Sequence, residues 1–133
     1  MTEPLPGAVV YAKDVARAAE FYRAVAGLTL TETEAGYAFL EGEHVQIVVV
    51  AIPEARAAEI EIADPPVRRS DTAVKLHFPV PSIAAARVTA AASGGVVDPP
   101  DREWSMGAFT ACDGHDPEGN VIQVRVYRPQ VRR

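Results

Sequence analysis

Three histidines and one cysteine are the residues of this 133-residue chain that could transfer a proton or attack an electrophile near neutral pH. His44 follows an acidic turn and His115 lies in a predicted loop, so we expect both on the solvated surface. Cys112 has no base predicted beside it, which favours a small buried side chain over a nucleophile. A lone cysteine also excludes an intrachain disulfide. His77, in an apolar strand, is therefore the candidate general acid or base.

Charge and length exclude several classes of partner. Thirteen basic and eighteen acidic residues give a formal net charge of −5, without the basic stripe that binds phosphates, so we expect no nucleic-acid partner. The longest strongly apolar run, 45–52, is far shorter than the roughly 20 residues of a membrane-spanning helix, and the N-terminus lacks the features of an export signal. The sequence thus predicts a cytoplasmic protein with no membrane partner.

Acidic side chains are concentrated in two runs. Such runs usually form solvated faces, but at the edge of a cleft they favour a cationic ligand. The residues are Glu32, Glu34, Glu59, Glu61 and Asp64.

The chain contains an internal repeat. Asp14 aligns with Ser82, and each ends an apolar strand and can cap a following helix. Alanine-rich helices are predicted over 16–26 and 84–94, each followed by a glycine that can end it with a positive φ and then by another strand. These glycines are Gly27 and Gly95.

Period-two alternation completes each half of the repeat. A hairpin is predicted from 37–40 and 44–52, and another from 108–112 and 120–127. Asp116-Pro117-Glu118-Gly119 in the second connection is typical of a type I turn. The sequence therefore predicts an α+β fold of two βαβββ modules, with helices on the outer face and the opposite faces left to form a cleft. We expect one domain over 1–133, with modules at about 5–52 and 73–128 and a connector at 53–72.

Several of these segments resemble the vicinal oxygen chelate superfamily, which includes glyoxalases, extradiol dioxygenases and bleomycin-resistance proteins. The segments are Lys13-Asp14-Val15, Phe21-Tyr22, Gly27-Leu28 and the stretch from Asp116 to Gln123. The resemblance implies that the paired modules form a curled mixed sheet around a small-molecule cleft. It also implies a cleft often completed by a second copy, so we expect a homodimer.

The metal-dependent members of that superfamily hold ligands on the first and last strands of each module. The corresponding positions here are Gly7, Lys75 and Gln123. Glycine has no donor, a protonated lysine has no lone pair, and a neutral amide is a poor ligand for a divalent cation. The fourth strand carries no carboxylate. We therefore expect no metal and no cofactor, as in the metal-free branch of the superfamily.

If these three positions face the cleft, alternation places Tyr11, His77 and Arg125 on the same face. The alternate positions are all apolar, as a sheet packed under helices requires. They are Ala8, Val10, Leu76, Phe78, Ile122 and Val124.

Each candidate has a structural alternative. His77 could be a neutral strand histidine bonded to backbone or water, and Lys75 and Arg125 could pair with carboxylates instead of an anionic ligand. Trp104 could stack on an aromatic ligand or form a dimer contact or the core edge. Core packing is the expected role of Phe39, which alternates with Ala38 and Leu40.

The leading hypothesis is a metal-independent protein that binds, and sequesters, an aromatic or cationic small molecule. Its predicted ligand-binding residues are Tyr11, Lys75, His77, Trp104, Gln123 and Arg125. The first alternative is a metal-independent isomerase or lyase in which His77 moves a proton. The second is a protein-association module, which a filled apolar cleft would favour.

Overall fold

A computed structural model describes residues 4–129 and contains two successive modules. The first is formed by β1 (Gly7–Ala12), α1 (Val15–Ala26), β2 (Thr29–Glu34), β3 (Tyr37–Glu41) and β4 (Gln46–Ala51). A short helix, α2 (Glu54–Ala57), follows in the connector. The second is formed by β5 (Leu76–Pro79), α3 (Ile83–Ala92), β6 (Val96–Val97), β7 (Trp104–Met106), β8 (Phe109–His115) and β9 (Val121–Tyr127), with a 3₁₀ turn at Pro100–Arg102.

The α+β fold of paired βαβββ modules is confirmed, and each module has its own sheet. The first sheet has the order β1-β4-β3-β2, and the second has the order β5-β9-β8-β6 with β7 paired to β8. The first strand of each module runs parallel to the last strand, and the other pairs are antiparallel. The strand β7 is an addition to the predicted pattern.

The caps of both helices follow from the sequence, with one difference at the end of α3. The side chain of Asp14 accepts a hydrogen bond from Arg17 N, and Ser82 accepts one from Ala85 N. Gly27 ends α1 with φ of 68°, as predicted, but after α3 the positive φ of 87° belongs to Gly94. Gly95 is needed for another reason: a Cβ there would lie 2.4 Å from the Phe21 ring.

The core lies between each sheet and its helix, and the register predicted for the helix-facing residues is confirmed. Phe78, Ile122 and Val124 are buried in the core. The other three residues of that set are partly buried and pack against it: Ala8, Val10 and Leu76. Alanines on α1 and α3 allow the helices to approach the sheets and each other closely, as shown by the burial of Ala18 and Ala90.

A buried polar cluster, here called the inter-module clamp, joins the second hairpin to the start of α1. Asp116 is 0% exposed and accepts hydrogen bonds from Tyr22 Oη at 2.7 Å, Glu118 N at 2.8 Å and both nitrogens of Asn120. Glu118 accepts hydrogen bonds from the backbone nitrogens of Lys13 at 2.9 Å and Asp14 at 2.8 Å. The predicted turn is confirmed by the 3.0 Å bond from Gly119 N to Asp116 O.

Burial raises the pKa of Tyr22 well above its ordinary value, and the adjacent Asp116 carboxylate raises it further. Tyr22 is therefore a hydroxyl donor to Asp116 throughout the physiological pH range. The motifs that carry the family resemblance thus fix one module to the other.

Within residues 4–129, no helix is long and apolar enough to span a membrane.

Candidate functional site

Each sheet has one face packed under its helix and one face turned away from it. The first open face, on the first sheet, is formed by Val9, Tyr11, Tyr37, Phe39, Glu41, Gln46, Val48 and Val50, which face the same side because they are paired in register. The second open face, on the second sheet, is formed by His77, Pro79, Phe109, Ala111, Asp113, Val121, Gln123, Arg125 and Tyr127, with Trp104 beside Ala111.

A chain of polar side chains crosses the second open face. Lys75 Nζ lies 2.9 Å from Asp113 Oδ2, and Gln123 Nε2 donates to the other oxygen of Asp113 at 3.0 Å. The carbonyl of Gln123 is thereby oriented to accept a hydrogen bond from Arg125 Nε at 2.6 Å. Arg125 Nη1 donates to Tyr127 Oη at 3.2 Å. The chain fixes the position of each head group, so this face is pre-organised.

Aromatic rings surround the end of that chain. The guanidinium carbon of Arg125 lies 4.0 Å from the centre of the Phe109 ring, which is a cation–π distance. Trp104 and Tyr127 flank Phe109, with ring centroids 6.0 Å and 5.4 Å away. Trp104 is 37% exposed and Tyr127 is 46% exposed, so both rings have surface left for another planar group.

His77 lies on β5, opposite Gln123. Partial burial lowers the pKa of His77, and the nearby Arg125 guanidinium lowers it further. The imidazole is therefore neutral near pH 7 and able to accept a proton. Together with Pro79 and Tyr127 it lines a groove of about 370 Å³ that is closed on the other side by the β3–β4 turn.

Four of the six predicted ligand-binding residues belong to the second open face, Lys75 contacts it through Asp113, and the sixth lies elsewhere. Tyr11 is 61% exposed on β1. It lies beside a separate groove of about 280 Å³ where the two sheets meet, together with Val74, Leu76 and Val121. Within one chain, Tyr11 and Trp104 are therefore on different open faces.

The prediction for His115 is wrong. Strand β8 extends three residues beyond its predicted end, and His115 is only 8% exposed. Its Nδ1 accepts a hydrogen bond from Arg68 Nε at 2.9 Å, and Arg68 also forms a bidentate pair with Asp98. Burial lowers the pKa of His115, and Arg68 lowers it further. The connector thus covers one end of the second sheet.

The prediction for Phe39 is also wrong. It is half-buried on the first open face, paired with Val48, and its ring lies 5.0 Å from that of Tyr37. The buried residues of β3 are Ala38 and Leu40. Glu32 and Glu41 line a groove with Phe39. Of the residues in the two acidic runs, Glu32 therefore borders the first open face.

The remaining reactive side chains behave as predicted. His44 is exposed, with an 87% exposed side chain. Cys112 is 0% exposed, and burial raises the pKa of its thiol, which suits a packing role.

Sequence reasoning missed three residues of the second open face: Phe109, Asp113 and Tyr127. Period-two alternation continued through β8 indicates Asp113, but the predicted strand ends at Cys112, one residue before it. Tyr127 follows Gln123 and Arg125 at the same spacing. Their contacts depend on pairing between β8 and β9, which the local pattern does not specify.

The donors at the superfamily's metal positions do not fit a divalent cation. A Cβ at Gly7 would lie 1.9 Å from Gln46 O, so no side chain fits there without a backbone shift. Lys75 places a cation beside the nearest carboxylate, and the Gln123 amide is held between Asp113 and Arg125. Among the described residues, no group of three His, Cys, Asp or Glu side chains could hold a metal ion.

Comparisons with known proteins agree with this architecture. The model of the glyoxalase-like domain family matches residues 7–125. A glyoxalase/bleomycin resistance protein/dioxygenase family enzyme from Burkholderia phytofirmans is similar in structure, with a TM-score of 0.67, 18% identity, and coverage of 94% of this chain and 99% of that chain.

An antibiotic binding protein from Streptomyces sp. CB03234 is also similar, with a TM-score of 0.61, 19% identity, and coverage of 95% of this chain and 97% of that chain. At these identities the likeness shows the fold alone. None of the curated proteins matches the chain significantly in sequence. The family match covers most of the chain, and the paired βαβββ modules agree with it, so the chain belongs to the glyoxalase-like family of the vicinal oxygen chelate superfamily.

Proposed function

We propose that this protein binds a small aromatic molecule on the second open face without a metal ion, and that binding rather than chemical conversion is its function. The observation that carries the proposal is the cluster of Trp104, Phe109 and Tyr127 around the oriented Arg125 guanidinium. Flat rings with exposed surface and a few fixed polar groups are typical of sites for small organic ligands. The antibiotic binding protein of similar structure supports this class of function.

A homodimer forms the second part of the proposal. Val9 and Tyr11 are 56% and 61% exposed on the first open face, and Met106 is 59% exposed beside the second. Apolar groups of this size on open sheet faces favour association. The first open face of one copy then covers the second open face of the other, so that Tyr11 contributes to the site from the partner copy.

The proposal is tested on protein purified without added compounds. Native mass spectrometry in ammonium acetate is expected to show a dimer, and elemental analysis after dialysis is expected to show no stoichiometric divalent metal. A thermal-shift screen of aromatic compounds is then run with and without EDTA. The proposal predicts that some compounds raise the unfolding temperature of the protein by the same amount with and without EDTA. A stable monomer, or stabilisation that disappears with EDTA, would contradict it.

A second candidate function rests on His77. Its lowered pKa makes the imidazole neutral near pH 7, and it lines a groove rather than the core. A neutral imidazole in a groove can serve as the general base of a metal-independent isomerase or lyase. This candidate requires turnover that is lost in His77→Ala while ligand affinity is retained.

A further inference from the structure

The charged groups of the second open face do not neutralise each other completely. Lys75 and Asp113 form a pair at 2.9 Å. Arg125 remains, and among the residues 4–129 that the structure describes it has no carboxylate oxygen within the 4.0 Å of a salt bridge. Its hydrogen-bond acceptors are the neutral Gln123 carbonyl and the Tyr127 hydroxyl.

We infer that Arg125 binds an anionic group, most simply a carboxylate, of a planar aromatic ligand whose ring packs against Trp104 or Tyr127. This inference rests on the proposed function and specifies the ligand class of the same site. It differs from the cationic ligand that the acidic runs suggested, because within one chain Glu32 borders the first open face, whereas Arg125 lies on the second.

The guanidinium is oriented before any ligand arrives. Gln123 accepts from Arg125 Nε and Tyr127 accepts from Nη1, whereas Nη2 forms no hydrogen bond with the described residues. The stacking of the guanidinium on Phe109 at 4.0 Å restricts its plane. A carboxylate that approaches the free edge of a planar, fixed guanidinium forms short charge-assisted hydrogen bonds at little entropic cost.

The net charge of −5 does little to weaken the binding of an anionic ligand at Arg125. Exposed charges are screened beyond about 8 Å at physiological ionic strength, so the local groups decide the binding. Lys75 and Asp113 cancel each other, which leaves the positive charge of Arg125 as the local excess. The aromatic rings nearby exclude water from the ligand and strengthen the ion pair.

The test uses three matched probes: 2-naphthoate, its neutral carboxamide, and the cationic 2-naphthylmethylammonium. The chain has one tryptophan, so a ¹H–¹⁵N NMR spectrum contains a single indole N–H signal, from Trp104. The shift of that signal gives each Kd in buffer with EDTA. We expect 2-naphthoate to bind about tenfold or more tightly than the carboxamide, because hydrogen bonds to charged groups are the strong ones.

Two variants complete the test, one expected to weaken 2-naphthoate binding and the other expected to strengthen it. Arg125→Met is expected to abolish the preference for 2-naphthoate, so that 2-naphthoate and the carboxamide bind with the same Kd, whatever change in affinity the two probes share. Asp113→Asn releases Lys75 from its partner and is expected to strengthen 2-naphthoate binding several-fold. Thermal unfolding of both variants confirms that they are folded.

The outcomes separate the two ideas. If the carboxamide or the ammonium binds as tightly as 2-naphthoate, the anionic ligand class is wrong and the proposed function stands. If none of the three probes shifts the Trp104 signal, the proposed function fails, and this inference fails with it. If Arg125→Met is a monomer in sedimentation experiments while Arg125→Lys, which keeps the charge, remains a dimer, Arg125 pairs with a carboxylate of a second copy, which also overturns the inference.

Discussion

The inter-module clamp and the second open face each contain hydrogen-bonded carboxylates. The two regions differ in how deeply these carboxylates are buried and in whether polar groups beside them remain free to bind a ligand. In the clamp, Asp116 is 0% exposed and accepts four hydrogen bonds, which leaves no capacity for a ligand. On the second open face, Asp113 is half-buried, and it is linked through Gln123 to the Arg125 guanidinium, whose Nη2 has no hydrogen bond with the described residues. The residues most typical of the family therefore hold the modules together, and the residues free to act on a ligand lie outside those motifs.

Removal of each carboxylate separately is expected to give the largest difference in stability between the two regions. Asp116→Ala leaves the Tyr22 hydroxyl and three nitrogens unpaired in the core, so it is expected to lower the free energy of unfolding by about 3–5 kcal/mol. Asp113→Ala removes a half-exposed ion pair and the acceptor of the Gln123 amide, and is expected to cost about 1–2 kcal/mol. Urea unfolding followed by circular dichroism measures both.

Equal losses in the two variants would contradict the distinction. If Asp116→Ala does not fold, Tyr22→Phe provides the measurement. That variant removes one donor from the clamp and is expected to cost about 1–2 kcal/mol.

The glycine of the clamp turn offers a second, smaller effect. Gly119 has φ of 88°, and a Cβ there would lie 2.1 Å from Val67 O, so the connector backbone must move in Gly119→Ala. We expect a loss of about 2 kcal/mol or more, since the left-handed conformation alone costs a side chain about 1–2 kcal/mol. Gly107→Ala is the control, with φ of 52° and nothing within 4 Å, and thermal unfolding should show the smaller loss there.

Features of the fold that depend on local sequence patterns could be predicted, whereas features that depend on distant contacts could not. Helix caps at Asp14 and Ser82, the turn at Asp116, and the apolar faces of the strands are local patterns, and they are confirmed. The end of β8, the burial of His115 and the position of Phe39 on the first open face are set by contacts between distant segments. Arg68 reaches His115 across the fold, and no local periodicity encodes such a contact.

The two histidines of the second sheet are expected to affect the pH dependence of unfolding differently, because His115 is buried and His77 is exposed. The pKa of His115 is below 6.5 in the folded protein, because burial and Arg68 disfavour its charged form. Below about pH 6.5 the unfolded chain therefore binds a proton that the folded chain does not, and the free energy of unfolding falls as the pH falls, by at most about 1.4 kcal/mol per pH unit. The stabilisation is complete above that pH.

His115→Asn keeps an acceptor for Arg68 and removes the titration, so urea unfolding between pH 7 and pH 5.5 should show a flatter pH dependence. His77→Asn is the matched control on the open face, where the side chain is more exposed and we expect a smaller change. An unchanged slope in His115→Asn would show that the contact with Arg68 does not depend on a neutral imidazole.

We claim that the second open face binds an aromatic ligand and does not convert it, and a comparison of Trp104→Ala with His77→Ala distinguishes binding from catalysis. With a compound identified in the screen, affinity is measured by calorimetry and turnover by mass spectrometry, both in EDTA. We expect Trp104→Ala to weaken binding about 2- to 12-fold, the range expected for lost stacking, while His77→Ala changes affinity little and no turnover is seen in either protein. Turnover by the unmodified protein that falls about 10²- to 10⁴-fold in His77→Ala with affinity intact would contradict the claim and make this protein an enzyme.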